Sequence, residues 1–138
     1  MLPTKEIGRA TARRFEAYES GDLARILDIY TDDAVYWDTK AGKGIKGKAD
    51  LTRHFADFFG RFHTRFAVLE EHRLEGQDAA IVLWQCAVRR RMPDGALGEQ
   101  IVMQRGMNLC ALRGDRVCRD ESYMDLASLE ALFESAAA

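Results

Sequence analysis

The sequence predicts an α+β fold in which helices come first and cover one face of a mainly antiparallel sheet. Apolar residues follow helical spacing in the N-terminal part, whereas long runs of strand character begin at residue 64. Three hairpin signals separate these runs: Glu75-Gly76-Gln77-Asp78, Pro93-Asp94-Gly95 and Arg113-Gly114-Asp115. No repeat or linker interrupts the sequence, so residues 1–138 are expected to form one domain.

Three helices are predicted before the long strands. The first, TKEIGRATARRFEAYES, begins near Thr4 as a possible N-cap and ends at Ser20-Gly21-Asp22, which also caps a short second helix, LARILDIY. Asp32 and Asp33 end that helix, and the apolar strand AVYWD follows. A glycine-containing loop then leads into the third helix, KADLTRHFADFFGRF.

Four long strands and a final helix complete the prediction. The strands are TRFAVLEEHRLE, AAIVLWQCAVRRR, EQIVMQRGMNLCAL and RVCRDESYMDL, and the helix is ASLEALFES. A tight turn at Gly114-Asp115 would pair Met107 with Ser122, and a turn at Asp94-Gly95 would place Trp84 opposite Arg105. One face would then carry Trp84, Met103, Arg105, Met107, Asp120, Ser122 and Met124.

That face has two interpretations. A few polar groups on an apolar surface are typical of a small-molecule pocket. The same residues could instead form a core in which Arg105 pairs internally with Asp120 or Asp38, because buried charges are usually paired.

The stretch WDTKAGKGIKGKAD contains two candidate functional features. Gly42, Gly47 and Lys48 have the spacing of a phosphate-binding loop, but Ala49 replaces the required hydroxyl, so a solvated loop is the better interpretation. Asp38 ends an apolar strand, where desolvation would raise the pKa of its carboxyl toward the range of a general base. A turn-forming aspartate is the alternative.

The composition excludes several classes of function. With 20 basic and 22 acidic residues the net charge is −2, so neither nucleic acid nor an anionic membrane is an expected partner. Three cysteines without paired spacing argue against a disulfide framework and for a reducing, cytoplasmic setting. The three histidines lack ligand spacing, so no metal site is expected. His54 could point into a cavity or be an ordinary helix histidine.

From residue 5 to residue 133, the order of these elements resembles the SnoaL-like and ketosteroid isomerase-like proteins of the nuclear transport factor two-like superfamily. The resemblance rests on YTDDAVYWD, GKADLTRHF and GDRVCRDESYMDL in that order. It implies a curved sheet wrapped into a cone around a pocket, with helices closing it, and frequent dimerisation.

The resemblance also assigns positions to the isomerase machinery. Asp38 falls on the general base and Tyr30 on a pocket tyrosine. The positions of the other isomerase groups are held by Phe15 or Arg14, Phe55 and Met107, none of which supplies the expected donor. Arg105 resembles the arginine of related epoxide-opening enzymes, but Met107 replaces their aspartate two residues later.

We therefore expect a small, cofactor-independent isomerase, cyclase or dehydratase that acts on a hydrophobic polyketide- or steroid-like molecule, in a homodimer. Asp38 would transfer the proton, and Arg105, Ser122 or Tyr30 would orient the oxygen. The remaining predicted pocket residues are His54, Trp84, Met103, Met107 and Met124. The alternatives are a ligand-binding or assembly module without chemistry, and an epoxide-opening hydrolase.

Overall fold

The structure, a computed structural model, describes residues 1–41 and 44–137. Gly42, the first glycine of the phosphate-loop spacing, lies outside these residues. The elements in chain order are α1 (Thr4–Ser20), α2 (Leu23–Asp28), β1 (Tyr30–Asp38), β2 (Ile45–Lys46), α3 (Lys48–Arg61), β3 (Phe62–Arg73), β4 (Ala79–Arg90), β5 (Val102–Arg113), β6 (Arg116–Met124) and α4 (Leu126–Ala137).

All six strands form one sheet in the order β2-β1-β6-β5-β4-β3. β1 runs parallel to β6, and every other neighbouring pair is antiparallel. The prediction of an α+β fold with a mainly antiparallel meander is thus confirmed. Irregularities in the pairing of β3 with β4, β5 with β6 and β1 with β6 help the sheet to curve, because a bulge bends a strand and increases its twist.

The register between β5 and β6 differs from the prediction by one residue. The turn itself is as expected, with Arg113 opposite Arg116. A register shift follows between Ala111 and Leu112, so Asn108 rather than Met107 faces Ser122. An extra residue on one strand changes the partner of every later residue. The prediction counted residue pairs outward from the turn, and such a count contains no extra residue.

The connection between β4 and β5 is also longer than a two-residue hairpin. Arg91 forms an isolated bridge with Leu97, and the continuous pairing starts only where Val88 faces Val102. Trp84 therefore lies opposite Gly106 rather than Arg105. The side chains of β5 are inverted relative to the prediction.

This inversion corrects three predicted site residues. Met103, Arg105 and Met107 lie on the outer face of the sheet and are exposed. The inner face of β5 instead carries Gln104, Gly106 and Asn108.

Helices α1 and α3 pack on the inner face through aromatic side chains. Phe15 of α1 stacks on Phe66 of β3 with ring centroids 4.5 Å apart, and Tyr18 stacks on Phe59 of α3 at 5.2 Å. The short helix α2 begins at the predicted cap, where the Asp22 carboxylate accepts hydrogen bonds from two backbone N–H groups. These contacts leave a hollow between the helices and the sheet.

Arg91 joins the ends of two helices. Its Nε donates to the carbonyl oxygen of Phe59 at 2.8 Å, near the C-terminus of α3. Its guanidinium also occupies the space that a side chain on Gly21 would need, and Gly21 ends α1 with φ of 65°. Arg91 therefore has a structural role at the ends of α1 and α3.

In the described residues 1–41 and 44–137, none of the helices combines the length and the apolar character needed to cross a membrane.

Candidate active site

A cavity of about 60 Å³ lies between the inner face of the sheet and helices α1, α3 and α4. Most of its wall is aromatic or aliphatic. Its polar lining comprises Tyr18, Tyr36, Asp38, Lys40, His54, Thr64, Gln104, Asn108 and Ser122. An apolar hollow with a few convergent polar groups is the usual form of a small-molecule site.

Asp38 is buried at the wall of this cavity, with 3% of its surface exposed. Its Oδ2 accepts hydrogen bonds from the Tyr36 hydroxyl at 2.7 Å and from His54 Nε2 at 3.1 Å. Its Oδ1 accepts from the backbone N–H of Ala41 at 2.6 Å. Both oxygens of the carboxylate are thus held by protein donors.

These donors determine the charge of Asp38. Burial alone would raise the pKa of the carboxyl, but the hydrogen bonds from His54, Tyr36 and Ala41 outweigh it and lower the pKa below 3.8. This direction is opposite to the raised pKa that desolvation at the end of an apolar strand predicts. Asp38 is therefore an anion at neutral pH, and burial together with this anion raises the pKa of Tyr36.

His54 reaches the same cavity from α3 and has 15% of its side chain exposed. Its ring lies 5.0 Å from the ring of Tyr36. Because an ionised carboxylate can only accept, the bond to Asp38 places a proton on Nε2 of His54. In the neutral ring, Nδ1 is then the nitrogen with an available lone pair.

A second buried carboxylate lies beneath the cavity. Asp120 accepts from Tyr30 at 2.7 Å, from Asn108 Nδ2 at 2.5 Å and from Tyr18 at 3.4 Å. The Arg14 guanidinium is 3.6 Å from the same carboxylate, and neither side chain is exposed. The hydroxyls of Tyr18 and Tyr30 are hydrogen-bonded to each other, and burial together with the Asp120 charge raises both of their pKa values. Tyr30, predicted to line the pocket, thus belongs to the layer behind it.

Trp84 forms part of the cavity wall beside this network. Its indole N–H donates to Asn108 Oδ1, and its ring meets the edge of Phe66 with centroids 5.3 Å apart. The indole lies directly over Gly106, where a Cβ would collide with it. The glycine on β5 therefore makes room for the tryptophan on β4.

The structure separates the predicted site residues into three groups. Five of them lie at the cavity wall: Asp38, His54, Trp84, Ser122 and Met124. Tyr30 lies behind the wall, and the outer face carries Met103, Arg105 and Met107.

Several cavity residues were missed from the sequence. Tyr36 could have been found, because it lies two residues before Asp38 and strand side chains two apart share a face. Gln104 and Asn108 were assigned to the opposite face by the register error. Lys40 and Thr64 carry no recognisable pattern.

Among residues 1–41 and 44–137, no group of three or more His, Cys, Asp or Glu side chains is arranged to hold a metal ion.

Comparison with solved structures shows a shared fold at low sequence identity. A protein of Bacillus subtilis that is a proposed isomerase superposes with a TM-score of 0.82 and 16% identity over 97% of this chain and 96% of its own. An LEH-like epoxide hydrolase of M. tuberculosis superposes with a TM-score of 0.73 and 16% identity, over 96% of this chain and 93% of its own. A proposed polyketide cyclase from Xanthomonas campestris superposes with a TM-score of 0.76 and 14% identity, over 93% of this chain and 96% of its own.

A comparison with curated proteins gives no match. The description of the SnoaL-like domain family matches residues 11–120, which include Asp38, His54 and Asp120. The resemblance noted in the sequence is thereby confirmed, together with the curved, open sheet and the helices that cover it. This chain belongs to the SnoaL-like domain family.

Proposed function

We propose that the protein is a cofactor-independent enzyme that moves a proton next to a carbonyl group of a small hydrophobic molecule. The single observation that carries this proposal is the Asp38–His54 pair at the wall of an apolar cavity. An imidazole held by a buried carboxylate is a standard arrangement for proton transfer near neutral pH. The isomerase and cyclase names of the structural neighbours agree with this reaction class.

In this proposal His54 is the proton acceptor and Asp38 is its positioning partner. The lowered pKa of Asp38 makes its carboxylate a weak base, but a good acceptor for the His54 Nε2–H bond. Nδ1 of His54 removes the proton from the carbon next to the carbonyl, and the resulting imidazolium is stabilised by the Asp38 anion. Returning the proton to another carbon completes an isomerisation. In a cyclisation the enolate carbon attacks a second carbonyl, and the alkoxide that forms takes the proton back from the His54 imidazolium.

The enolate oxygen needs a positive group or a donor. Arg105, predicted for this task, lies on the outer face. Lys40 lines the cavity, with its ammonium 5.4 Å from the centre of the Phe58 ring. Lys40 is the cation that we assign to this role, and Ser122 remains the candidate hydroxyl.

The proposal is tested by exchange of α-protons, which needs no knowledge of the natural substrate. Deuterium incorporation from D2O into cyclohexanone is followed by NMR for the wild type, His54→Gln and Asp38→Asn. We expect each substitution to slow the protein-dependent exchange about 10²- to 10⁴-fold, the usual contribution of a positioned acid or base. His63→Gln is the matched control, because His63 lies outside the lining of the cavity.

The two variants distinguish the two candidate bases. If His54 accepts the proton, exchange should be lost in His54→Gln, and Asp38→Asn should slow it through the loss of the partner that holds the imidazole. If Asp38 accepts the proton directly, exchange should survive in His54→Gln and be lost in Asp38→Asn. Exchange that is unchanged in both cavity variants would refute either form of the proposal.

A ligand-binding module without chemistry is the second candidate. The observation that favours it is the full set of donors on Asp38, which would also suit a structural carboxylate. Saturable binding of cyclohexanone with no exchange above the buffer rate would support this candidate. Hydrolysis of styrene oxide that depends on His54 would instead support the epoxide-opening alternative, in which the dyad activates water.

We also propose a homodimer that forms through the outer face of the sheet. Register places Leu83, Met107 and Tyr123 side by side on three strands, and Trp37 on β1 contacts Tyr123 with rings 5.0 Å apart. Met107 and Tyr123 are 37% and 46% exposed, so this apolar stripe is available to a second copy. Light scattering should give a dimer mass for the wild type and a monomer mass for Met107→Glu.

A further inference from the structure

Thr64 is a buried hydroxyl without a partner at the cavity wall. It lies on the inner face of β3, opposite Val88, with 1% of its surface exposed. Within residues 1–41 and 44–137, its Oγ1 has no hydrogen-bond partner. A buried hydroxyl in that state is unfavourable, so a bound molecule that supplies the missing hydrogen bond would be stabilised there.

The other hydroxyls of the cavity differ from Thr64 in this respect. Tyr36 donates to Asp38, Tyr18 is bonded to Tyr30, and Ser122 donates to Asn108 at 3.4 Å. Thr64 is thus the one lining hydroxyl, among the described residues, whose bonding capacity the protein leaves unused.

The surroundings of Thr64 favour an oxygen atom on an otherwise apolar ligand. The nearby lining residues on β3 and β4 are Phe66 and Cys86, which pair with each other in the sheet. Burial raises the pKa of the Cys86 thiol to about 12, so Cys86 is neutral and adds no charge to this region. Gln104, the polar neighbour on β5, donates its amide N–H to the Asp125 carbonyl at 3.4 Å.

We propose that Thr64 is a specificity-determining residue that binds a hydroxyl or carbonyl oxygen of the ligand. Asp38 and Thr64 belong to β1 and β3, and the sheet order places β6, β5 and β4 between these strands. A ligand that satisfies both regions therefore carries two oxygens, one beside the Asp38–His54 pair and one at Thr64. The assignment of the first oxygen rests on the proposed function, whereas the contact with Thr64 requires only binding.

The wall of the cavity is mostly aromatic or aliphatic, which favours a ligand with a hydrocarbon frame. The chemical class that we infer is a hydroxy- or oxo-substituted cyclic ketone.

The experiment compares 4-hydroxycyclohexanone with cyclohexanone, which lacks the second oxygen. Dissociation constants for both are measured by NMR titration with the wild type, Thr64→Val and Thr64→Ser. We expect the preference for the hydroxylated compound to fall about fivefold in Thr64→Val, because that change in affinity corresponds to the loss of about one neutral hydrogen bond. Thr64→Ser should keep most of the preference, because it keeps the hydroxyl.

Stability without ligand separates a binding role from a structural one. Thr64→Val removes an unpartnered group, so its urea midpoint should equal or exceed that of the wild type. Thr52→Val is the matched control: Thr52 donates to the Lys48 carbonyl at 2.6 Å, so its loss should lower the midpoint and leave ligand preference unchanged.

Two results would overturn the proposal. The first is an unchanged preference for 4-hydroxycyclohexanone in Thr64→Val, which would mean that only water occupies this position. The second is a lower urea midpoint for Thr64→Val, which would mean that the hydroxyl has a protein partner. Ligand preference and the urea midpoint do not depend on turnover. The proposal for Thr64 can therefore be refuted while α-proton exchange supports the proposed function, and it can be supported while exchange is absent.

Discussion

Replacement of Asp120 by asparagine tests the buried network that supports the cavity. The side chains of Arg14 and Asp120 are both fully buried, 3.6 Å apart, and the Arg14 nitrogens have no hydrogen-bond partner within the described residues. Asp120→Asn would leave a buried guanidinium without a counter-charge. Breaking such a pair from one side costs about 3–5 kcal/mol, a large part of the ~5–15 kcal/mol that stabilises a typical domain.

The hydrogen bonds of Asp120 indicate a destabilisation of similar size. Its carboxylate accepts from Tyr30 at 2.7 Å and from Asn108 at 2.5 Å, and bonds to a charged group contribute about 1.5–3 kcal/mol each. An asparagine that still accepts from Tyr30 would turn its NH2 group toward both Asn108 Nδ2 and Arg14, which are donors. The loss of favourable bonds is therefore only partly recovered.

Urea unfolding, followed by tryptophan fluorescence and circular dichroism, measures this loss. With a urea dependence of about 2 kcal/mol per molar, the midpoint of Asp120→Asn should fall by roughly 2 M. Arg14→Met should be similarly destabilised, whereas Arg14→Met/Asp120→Asn should be less destabilised than the sum of the single variants, because no unpaired charge remains. Additive effects, or single variants within about 1 kcal/mol of the wild type, would refute the reasoning.

Three further predictions concern other parts of the molecule. Gly106→Ala should lose about 1–3 kcal/mol of stability and change the fluorescence of Trp84, because the new methyl group would collide with the indole; unchanged fluorescence would contradict this. Asp38→Asn should lower the urea midpoint at pH 6, and this difference should shrink as the pH falls below the ordinary pKa of an aspartate. A lowered folded-state pKa adds stability that is fully present above the unfolded-state pKa and is lost as the pH falls through the folded-state pKa, so a difference that does not change with pH would be inconsistent. Cys86 and Cys110, whose pKa values burial raises to about 12, should react with iodoacetamide at pH 7.5 only after unfolding in urea; rapid labelling of the native protein would argue otherwise.

Local patterns were sufficient for most of the secondary elements, although α2 ends at Asp28 and β1 begins at Tyr30, so Asp32 and Asp33 lie in a strand rather than at the predicted end of a helix. The Asp22 cap, the start of α3 at Lys48 and the turn at Gly114-Asp115 are all properties of a few consecutive residues, and each occurs in the structure as predicted. Asp38 was recognised for the same reason, since it ends an apolar strand. Its burial at a cavity agrees with that pattern, although its role in proton transfer stays a proposal.

The charge of Asp38 and the face of β5 needed the tertiary structure. The pKa of Asp38 depends on donors from a distant helix and a loop, His54 and the Ala41 N–H, which the sequence does not place beside it. The face of β5 depends on where register shifts occur, and one extra residue moved Arg105 from the predicted pocket to the outer surface.

The sequence by itself determined the order of most helices and strands and one acidic residue of the cavity, because these follow from local periodicity and turn chemistry. Its resemblance to the SnoaL-like proteins indicated the family. The tertiary structure alone decided which side chains converge. The Arg14–Asp120 pair joins residues 106 positions apart in the chain (120 minus 14), and Asp38 and Thr64 meet one cavity from different strands. Such contacts arise from packing and sheet curvature, which depend on all the strands together rather than on any one segment.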